Sequence, residues 1–429
     1  MPETPARGIQ KGDTDLSNSV LLTDLYELTM LQAYYQLDMH QEAVFSLFVR
    51  KLPEHRNYLL ACGLDDILTH LENLHFTREQ LNYLDSLDLF QDDFLHWLED
   101  FTFRGEITAM PEGTPFFANE PLVEVKASIG EAQLIETFVL NQIHYQTLIA
   151  SKAHRVVQTA ADRTVFDFGL RRIHGTDAGM KAARSFYIAG GQATSNTLAG
   201  SVYNIPVSGT MAHSFIQAHD NELQAFRDFT RIYPRTILLI DTYDPLAGTD
   251  KIIRLARESG KSFDIQGVRI DSSDLCSLSA AVRKRLDDAG LFQVKIFASG
   301  SLDEYAIKEM ITNKAPIDGF GVGTRLAVAE AQIELLDDLG IPGRYVMGNH
   351  DIDPPRKAGI VEMPFYELVR RNPNWRTTAS SDGFYFVDRL GEHTVLFLSD
   401  HVAPDATWAV THGRIRGSEE AYPFGEEEY

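Results

Sequence analysis

From about residue 162 to residue 325 the chain repeats one unit: a short apolar run, a tip of small or polar residues, then an amphipathic stretch of helical period. Six runs follow this order. They begin with Val165-Phe166-Asp167-Phe168-Gly169, then Ile205-Pro206-Val207 leading to Gly209-Thr210. Ile237-Leu238-Leu239-Ile240-Asp241 and Gly267-Val268-Arg269-Ile270-Asp271 come next. Lys295-Ile296-Phe297-Ala298-Ser299-Gly300 and Gly319-Phe320-Gly321-Val322-Gly323 close the series. Strands alternating with helices predict a parallel β/α architecture. No single turn carries a dinucleotide fingerprint, and polar groups are spread over many tips, which predicts a barrel with its site at the strand ends. Six units are too few for a regular barrel, so an irregular one is expected.

The N-terminal part has a different rhythm. Residues 1–20 read as a flexible polar arm with no apolar signal-peptide core. A helix is expected from Leu21 to Tyr35, capped by Thr23 or Asp24, with Tyr26 as a core aromatic. Residues 42–50 alternate as a strand, helical patterns follow at 57–73 and 78–101, and Thr77 with Gln80 forms a capping box. Short strands are expected near 104–109 and 121–126, and a helix over 129–160. The fold class is therefore α/β: an irregular β/α barrel with an N-terminal α+β domain. The divisions are an arm over 1–20, an α+β domain over 21–130, a barrel over 131–335 and a C-terminal segment over 336–429 that completes the α+β domain.

Charge narrows the chemistry. The net charge is -22 at pH 7, which excludes a duplex nucleic acid as partner, and no stretch has the apolar length of a membrane span. The two cysteines, Cys62 and Cys276, form no ligand pattern and fit a reducing cytoplasm. Against this acidic background Arg171, Arg172, His174, His213, Arg269 and Arg325 all fall at or just past strand ends, which points to a multiply anionic ligand. Thr210 and His213 lie at a strand-to-helix turn where backbone N–H groups are free for an anion. Ser299-Gly300-Ser301 and Gly321-Val322-Gly323-Thr324 are glycine- and hydroxyl-rich turns at the end of the strand series, where barrels bind phosphate. Asp241, Asp244, Asp271 and Asp274 can hold Mg²⁺ or accept from ribose hydroxyls, with Asp274 read as a helix cap and Asp271 as the metal candidate. These pieces indicate a sugar-phosphate or nucleotide-forming enzyme without naming its reaction.

Taken together, the motifs Thr23-Asp24-Leu25-Tyr26, Phe168-Gly169-Leu170-Arg171-Arg172, Thr194-Ser195-Asn196 and Gly209-Thr210-Met211-Ala212-His213-Ser214 resemble those of nicotinate phosphoribosyltransferases. Asp241-Thr242-Tyr243-Asp244, Gly267-Val268-Arg269-Ile270-Asp271-Ser272 and Gly321-Val322-Gly323-Thr324 complete the set, in order, from about residue 20 to 330. The resemblance implies formation of nicotinate mononucleotide from nicotinate and phosphoribosyl pyrophosphate, with Mg²⁺ assisting and ATP hydrolysis coupled through a phosphohistidine. It places the phosphohistidine at His213, nicotinate contacts at Tyr26, Thr210 and Arg269, and the phosphoribosyl side at Thr324. It also implies a homodimer in which the N-terminal domain of one protomer covers the barrel of the other, bringing Tyr26 to the neighbour's site. A nicotinamide-specific sister enzyme and a non-catalytic nucleotide-binding relative are the alternatives. Ser273 stands where the family usually has glycine, and after residue 335 the family's usual segments are absent. Gly348-Asn349-His350-Asp351 matches a single ligand motif of metallophosphoesterases without that family's other motifs, so no chemistry is assigned there.

Overall fold

The computed structural model describes residues 19–53, 56–272, 274–323 and 325, and the strand segments 334–341, 344–345, 375–380, 383–390 and 393–398. The first strand, β1 (Glu42–Lys51), alternates strictly: Ala43, Phe45, Leu47 and Val49 are buried while their neighbours are not. A period of two places these four side chains on one sheet face. After β2 (Leu59–Leu60) come β3 (Glu106–Ala109), β4 (Pro115–Phe116) and β5 (Val123–Ser128). β5 pairs antiparallel with β1, Glu42 opposite Ser128, and β3 pairs antiparallel with β5.

The helical patterns of this part differ from their sequence reading. The expected helix over 57–73 is β2 followed by Leu64–Glu72, because Gly63 sits at φ +109 and breaks the chain direction between them. The expected helix over 78–101 is two, Arg78–Asp85 and Asp92–Leu98, parted at Asp88 with φ 54. The capping box of Thr77 and Gln80 is present, and the first helix runs over Leu25–Gln36 with Asp24 at its N-cap. Tyr26 is not a core aromatic: it is 45% exposed, because the helix turns Leu28 and Leu31 inward and leaves Tyr26 on the opposite side.

The barrel strands are β6 (Thr164–Asp167), β7 (Ala193–Thr194), β8 (Ile237–Leu239), β9 (Gly267–Ile270), β10 (Lys295–Gly300) and β11 (Gly319–Val322). They form one curled parallel sheet in the order β7-β6-β11-β10-β9-β8. The run at 205–207 is not a strand; Val207 makes a single parallel bridge to Thr194, and Pro206, which has no N–H to donate, limits the pairing. The rings of Phe168 and Phe297 lie against β11, where a Cβ at Gly321 would stand 2.4 Å from the Phe168 ring. Glycine at that position is thus a packing requirement. Phe166 completes the cluster, 6.1 Å from Phe168 and 5.9 Å from Phe297 between ring centres.

Beyond the barrel the chain returns to the first sheet. β12 (Glu334–Ile341) pairs antiparallel with β1, and β13 (Arg344–Tyr345) pairs with β12. The hairpin expected around 383–399 is present as β15 (Gly383–Leu390) and β16 (His393–Leu398), with β14 (Trp375–Ser380) on its other edge. The 348–351 motif lies outside the described residues.

Two features bind the two cores. The helix Glu136–Ala160 buries Phe138, Val139 and Ile143 with the α+β core and Ile149, Ala150, Ala153 and Val156 with the barrel core. Arg184, on the barrel helix Thr176–Ile188, donates from both terminal nitrogens to Glu112, at 2.8 and 2.6 Å. Glu112 also accepts from the Gly63 N–H at 2.7 Å. Both side chains are mostly buried, so removing one strands the charge of the other. Arg184→Ala is expected to cost about 3 kcal/mol. Urea unfolding of Arg184→Ala, Glu112→Ala and the double variant will show strong non-additivity; additive losses would mean that the pair does not act as a unit.

Candidate active site

A parallel sheet that curls without closing has two unpaired edges. Here they are Val207, beyond β7, and β8; among the described residues no ladder joins them. Two side-chain contacts cross the gap. His213, opening the short helix His213–Gln217, places Nδ1 3.2 Å from Thr242 Oγ1, just past β8. Arg269, on β9, donates from Nη2 to the Met211 carbonyl at 3.0 Å. The turn Val207–His213 therefore folds over the tips of β8 and β9.

The tips themselves form a second set of contacts. Asp241 Oδ2 accepts from the Asp271 N–H and from Ser272 Oγ, both at 2.6 Å, while its Oδ1 is buried with no partner among the described residues. Asp271 Oδ2 accepts from Ser299 Oγ at 2.9 Å. Gly300 has φ +122, and a Cβ there would stand 3.2 Å from Asp271 Oδ1. This conformation and this closeness admit glycine alone. Arg269 is half-buried, and its Nε is buried without a hydrogen-bond partner among the described residues. Burial lowers its pKa, Asp271 and Asp241 raise it, and Arg171 lowers it, so all three charged groups are close.

The sequence-selected residues thus fall into two places. His213, Arg269, Asp271, Ser299 and Gly300 are linked through one run of strand tips, with Arg171 exposed beside them. Thr210 lies in the turn, its hydroxyl 3.4 Å from the Met211 carbonyl that Arg269 engages. Gly323 follows β11, and a Cβ there would stand 2.8 Å from the Phe168 carbonyl, so close strand packing also requires glycine. Thr324 and Ser273 lie outside the described residues. Asp274 caps its helix, accepting from the Ser277 N–H at 3.2 Å.

Tyr26 is elsewhere. Its hydroxyl donates to Glu136 Oε1 at 3.0 Å and lies 3.4 Å from Glu27 Oε1, at the start of the helix Glu136–Ala160. Glu27 is fully buried, accepts from the N–H and hydroxyl of Thr137 at 2.9 Å each, and has Oε2 unpartnered among the described residues. Burial pushes its pKa up to about 7.

Two residues were not singled out by sequence. Thr242 was one letter of a tip motif; only its contact with His213 distinguishes it. Asp167, at the end of β6, is buried, accepts from Thr194 Oγ1 at 2.7 Å and from the Gly169 N–H at 2.7 Å, and has its pKa raised by burial. An acidic residue inside an apolar run was the available signal.

Known proteins share this arrangement of sequence. The chain is 56% identical over 375 residues to nicotinate phosphoribosyltransferase pncB2 of Mycobacterium tuberculosis, covering 87% of this chain and 78% of that protein. The chain belongs to the nicotinate phosphoribosyltransferase family. The Bacillus subtilis nicotinate phosphoribosyltransferase is 43% identical over 314 residues, covering 73% of this chain and 64% of that one. The model of the nicotinate phosphoribosyltransferase N-terminal domain matches residues 21–144. The solved human nicotinic acid phosphoribosyltransferase has the same fold, with a TM-score of 0.68 at 23% identity, over 90% of this chain and 83% of that one. A nicotinate-nucleotide pyrophosphorylase from Pyrococcus furiosus matches with a TM-score of 0.66 at 20% identity, over 92% of each chain. In this member of the nicotinate phosphoribosyltransferase family the N-terminal match ends inside the helix shared by both cores, so the strand tips are related through the full-length relatives.

Glu27 gives the cluster around Tyr26 a pH signature. Its folded pKa of about 7 lies above its ordinary value of 4.5. The unfolded chain therefore sheds the proton first, and Glu27 lowers stability as pH rises from about 4.5 to about 7. Buried His70, stacked on Phe138 and held down at about 4, has the opposite sign. The difference between Glu27→Gln and the parent cancels the His70 contribution. Glu27→Gln is expected to gain relative stability across that window in thermal melts. A pH-independent difference would show that Glu27 does not titrate there.

Proposed function

We propose that this chain joins nicotinate to phosphoribosyl pyrophosphate, forming nicotinate mononucleotide and pyrophosphate in NAD biosynthesis. The observation that carries this reading is Arg269. Its guanidinium is anchored by Nη2 on the Met211 carbonyl, while a buried Nε–H lacks a partner among the described residues. A planar carboxylate is the ligand that such a fork satisfies best. In the reaction the pyridine nitrogen attacks the ribose carbon, the bond to the pyrophosphate oxygen breaks, and its electron pair leaves with pyrophosphate. Arg269 and Thr210 hold nicotinate, while Ser299, Gly300, Gly323 and Thr324 serve the phosphoribosyl side. The protein's contribution is alignment and charge stabilisation around an oxocarbenium-like state.

Mg²⁺ fits the same tips. Asp241 Oδ1 is buried without a partner among the described residues, and Asp271, whose backbone N–H donates to Asp241 Oδ2, carries a second carboxylate. One or two carboxylates plus substrate phosphates are the usual donor set. Asp241 and Asp271 would hold the ion, which supplies charge neutralisation on the departing pyrophosphate. We further assign ATP coupling to His213 as phosphohistidine. A homodimer would bring Tyr26 to a neighbouring barrel; the exposure of Leu22, Leu25 and Tyr26 at one helix end supports a covered surface. A cytoplasmic location suits the free thiols Cys62 and Cys276, and no helix among the described residues is long and apolar enough to cross a membrane.

A pyrophosphate-release assay tests this. Nicotinate should be used at least about 100-fold better than nicotinamide, and Arg269→Ala should raise the KM for nicotinate by about 10–100-fold with that for phosphoribosyl pyrophosphate little changed. Equal use of the two pyridines would overturn the assignment. His213→Asn is expected to lose stimulation by ATP, and a variant still stimulated would remove His213 from the coupling.

A further inference from the structure

The His213 imidazole meets Thr242 across the open edge of the barrel sheet, and this contact has a chemical consequence. His213 Nδ1 and Thr242 Oγ1 are 3.2 Å apart, both residues being half-buried. Thr242 stands between Asp241 and Asp244 in a turn rich in carboxylate. The Thr242 hydroxyl can accept from an N–H on the ring nitrogen that faces it. We propose that Thr242 is a positioning residue that accepts a hydrogen bond from His213 Nδ1–H, so that the lone pair, and the phosphoryl group in the ATP-coupled step, reside on Nε2. The phosphoryl part rests on the assignment of His213 as the phosphohistidine made above.

Three points favour this geometry. A histidine with one ring nitrogen engaged presents the other, and the partner sets the tautomer. Nδ1 lies within hydrogen-bond distance of the threonine hydroxyl, so a phosphoryl group there would have to displace Thr242. Thr242 and His213 also sit on opposite sides of the gap between Val207 and β8, so such a displacement would part the sheet edges, whereas reaction at Nε2 leaves the contact in place. The step then balances simply. The Nε2 lone pair attacks the γ-phosphorus of ATP, the bond to the β-phosphate oxygen breaks, and that electron pair leaves with ADP. The ring keeps its Nδ1 proton, and that N–H stays hydrogen-bonded to Thr242.

The test uses the full chain with ¹⁵N-labelled histidine, the His213 signals being assigned by their loss in His213→Asn. Two-bond ¹H–¹⁵N correlation is expected to show Nδ1 protonated and Nε2 unprotonated in the unphosphorylated protein. After addition of ATP and Mg²⁺, the phosphoryl group is expected on Nε2. Thr242→Val should lose the tautomer preference and slow phosphohistidine formation at least about tenfold, and Thr242→Ser should restore both. A protonated Nε2, a phosphoryl group on Nδ1, or a Val variant that behaves like the parent would overturn the proposal. If the parent forms no phosphohistidine, the phosphoryl-acceptor assignment falls, and with it the Nε2 phosphoryl site. The tautomer result still decides for or against Thr242 in that case.

Discussion

The structure depends on how an unclosed parallel sheet deals with its two edges. Main-chain pairing ends at Val207 on one side and at β8 on the other. Side chains complete the closure instead: Arg269 reaches the Met211 carbonyl and His213 reaches Thr242. An exposed strand edge is ordinarily a liability. Here the gap brings a histidine, an arginine and several carboxylates to the same end of the sheet. The chemistry proposed for the protein is therefore located where the fold is least regular.

The rest of the molecule packs around that end. Glycines on β11 let Phe168 and Phe297 lie close against the sheet, with Phe166 beside them. The helix Glu136–Ala160 enters both cores, and the Arg184–Glu112 pair joins the barrel helix to the loop beside Gly63. The same long helix begins at the cluster of Tyr26, Glu27, Glu136 and Thr137. One rigid element thus spans the distance from the exposed Tyr26 face to the barrel core.

The tip residues divide into those explained by structure and those left with capacity for a ligand. Asp274 caps a helix, and Thr194 and Gly169 satisfy Asp167. Gly321 and Gly323 make room for close packing. What remains is Arg269, with an Nε–H, and Asp241, with an oxygen, that have no partner among the described residues, a cation and an anion side by side.

By itself the sequence determined the strand–helix alternation, the α+β character of the first part, the capping box at Thr77 and the residue types at each strand tip. Those follow from period, apolar runs and local hydrogen-bonding chemistry, which are properties of neighbours along the chain. Only the tertiary structure decided that Val207 makes a bridge and not a strand, that Gly63 and Asp88 break two expected helices, and that Tyr26 faces outward. It alone paired β12 with β1 and Thr242 with His213. The reason is physical: sheet order, burial of one helix face over another and the partner of a side chain are set by contacts between residues far apart in sequence, which no local pattern encodes.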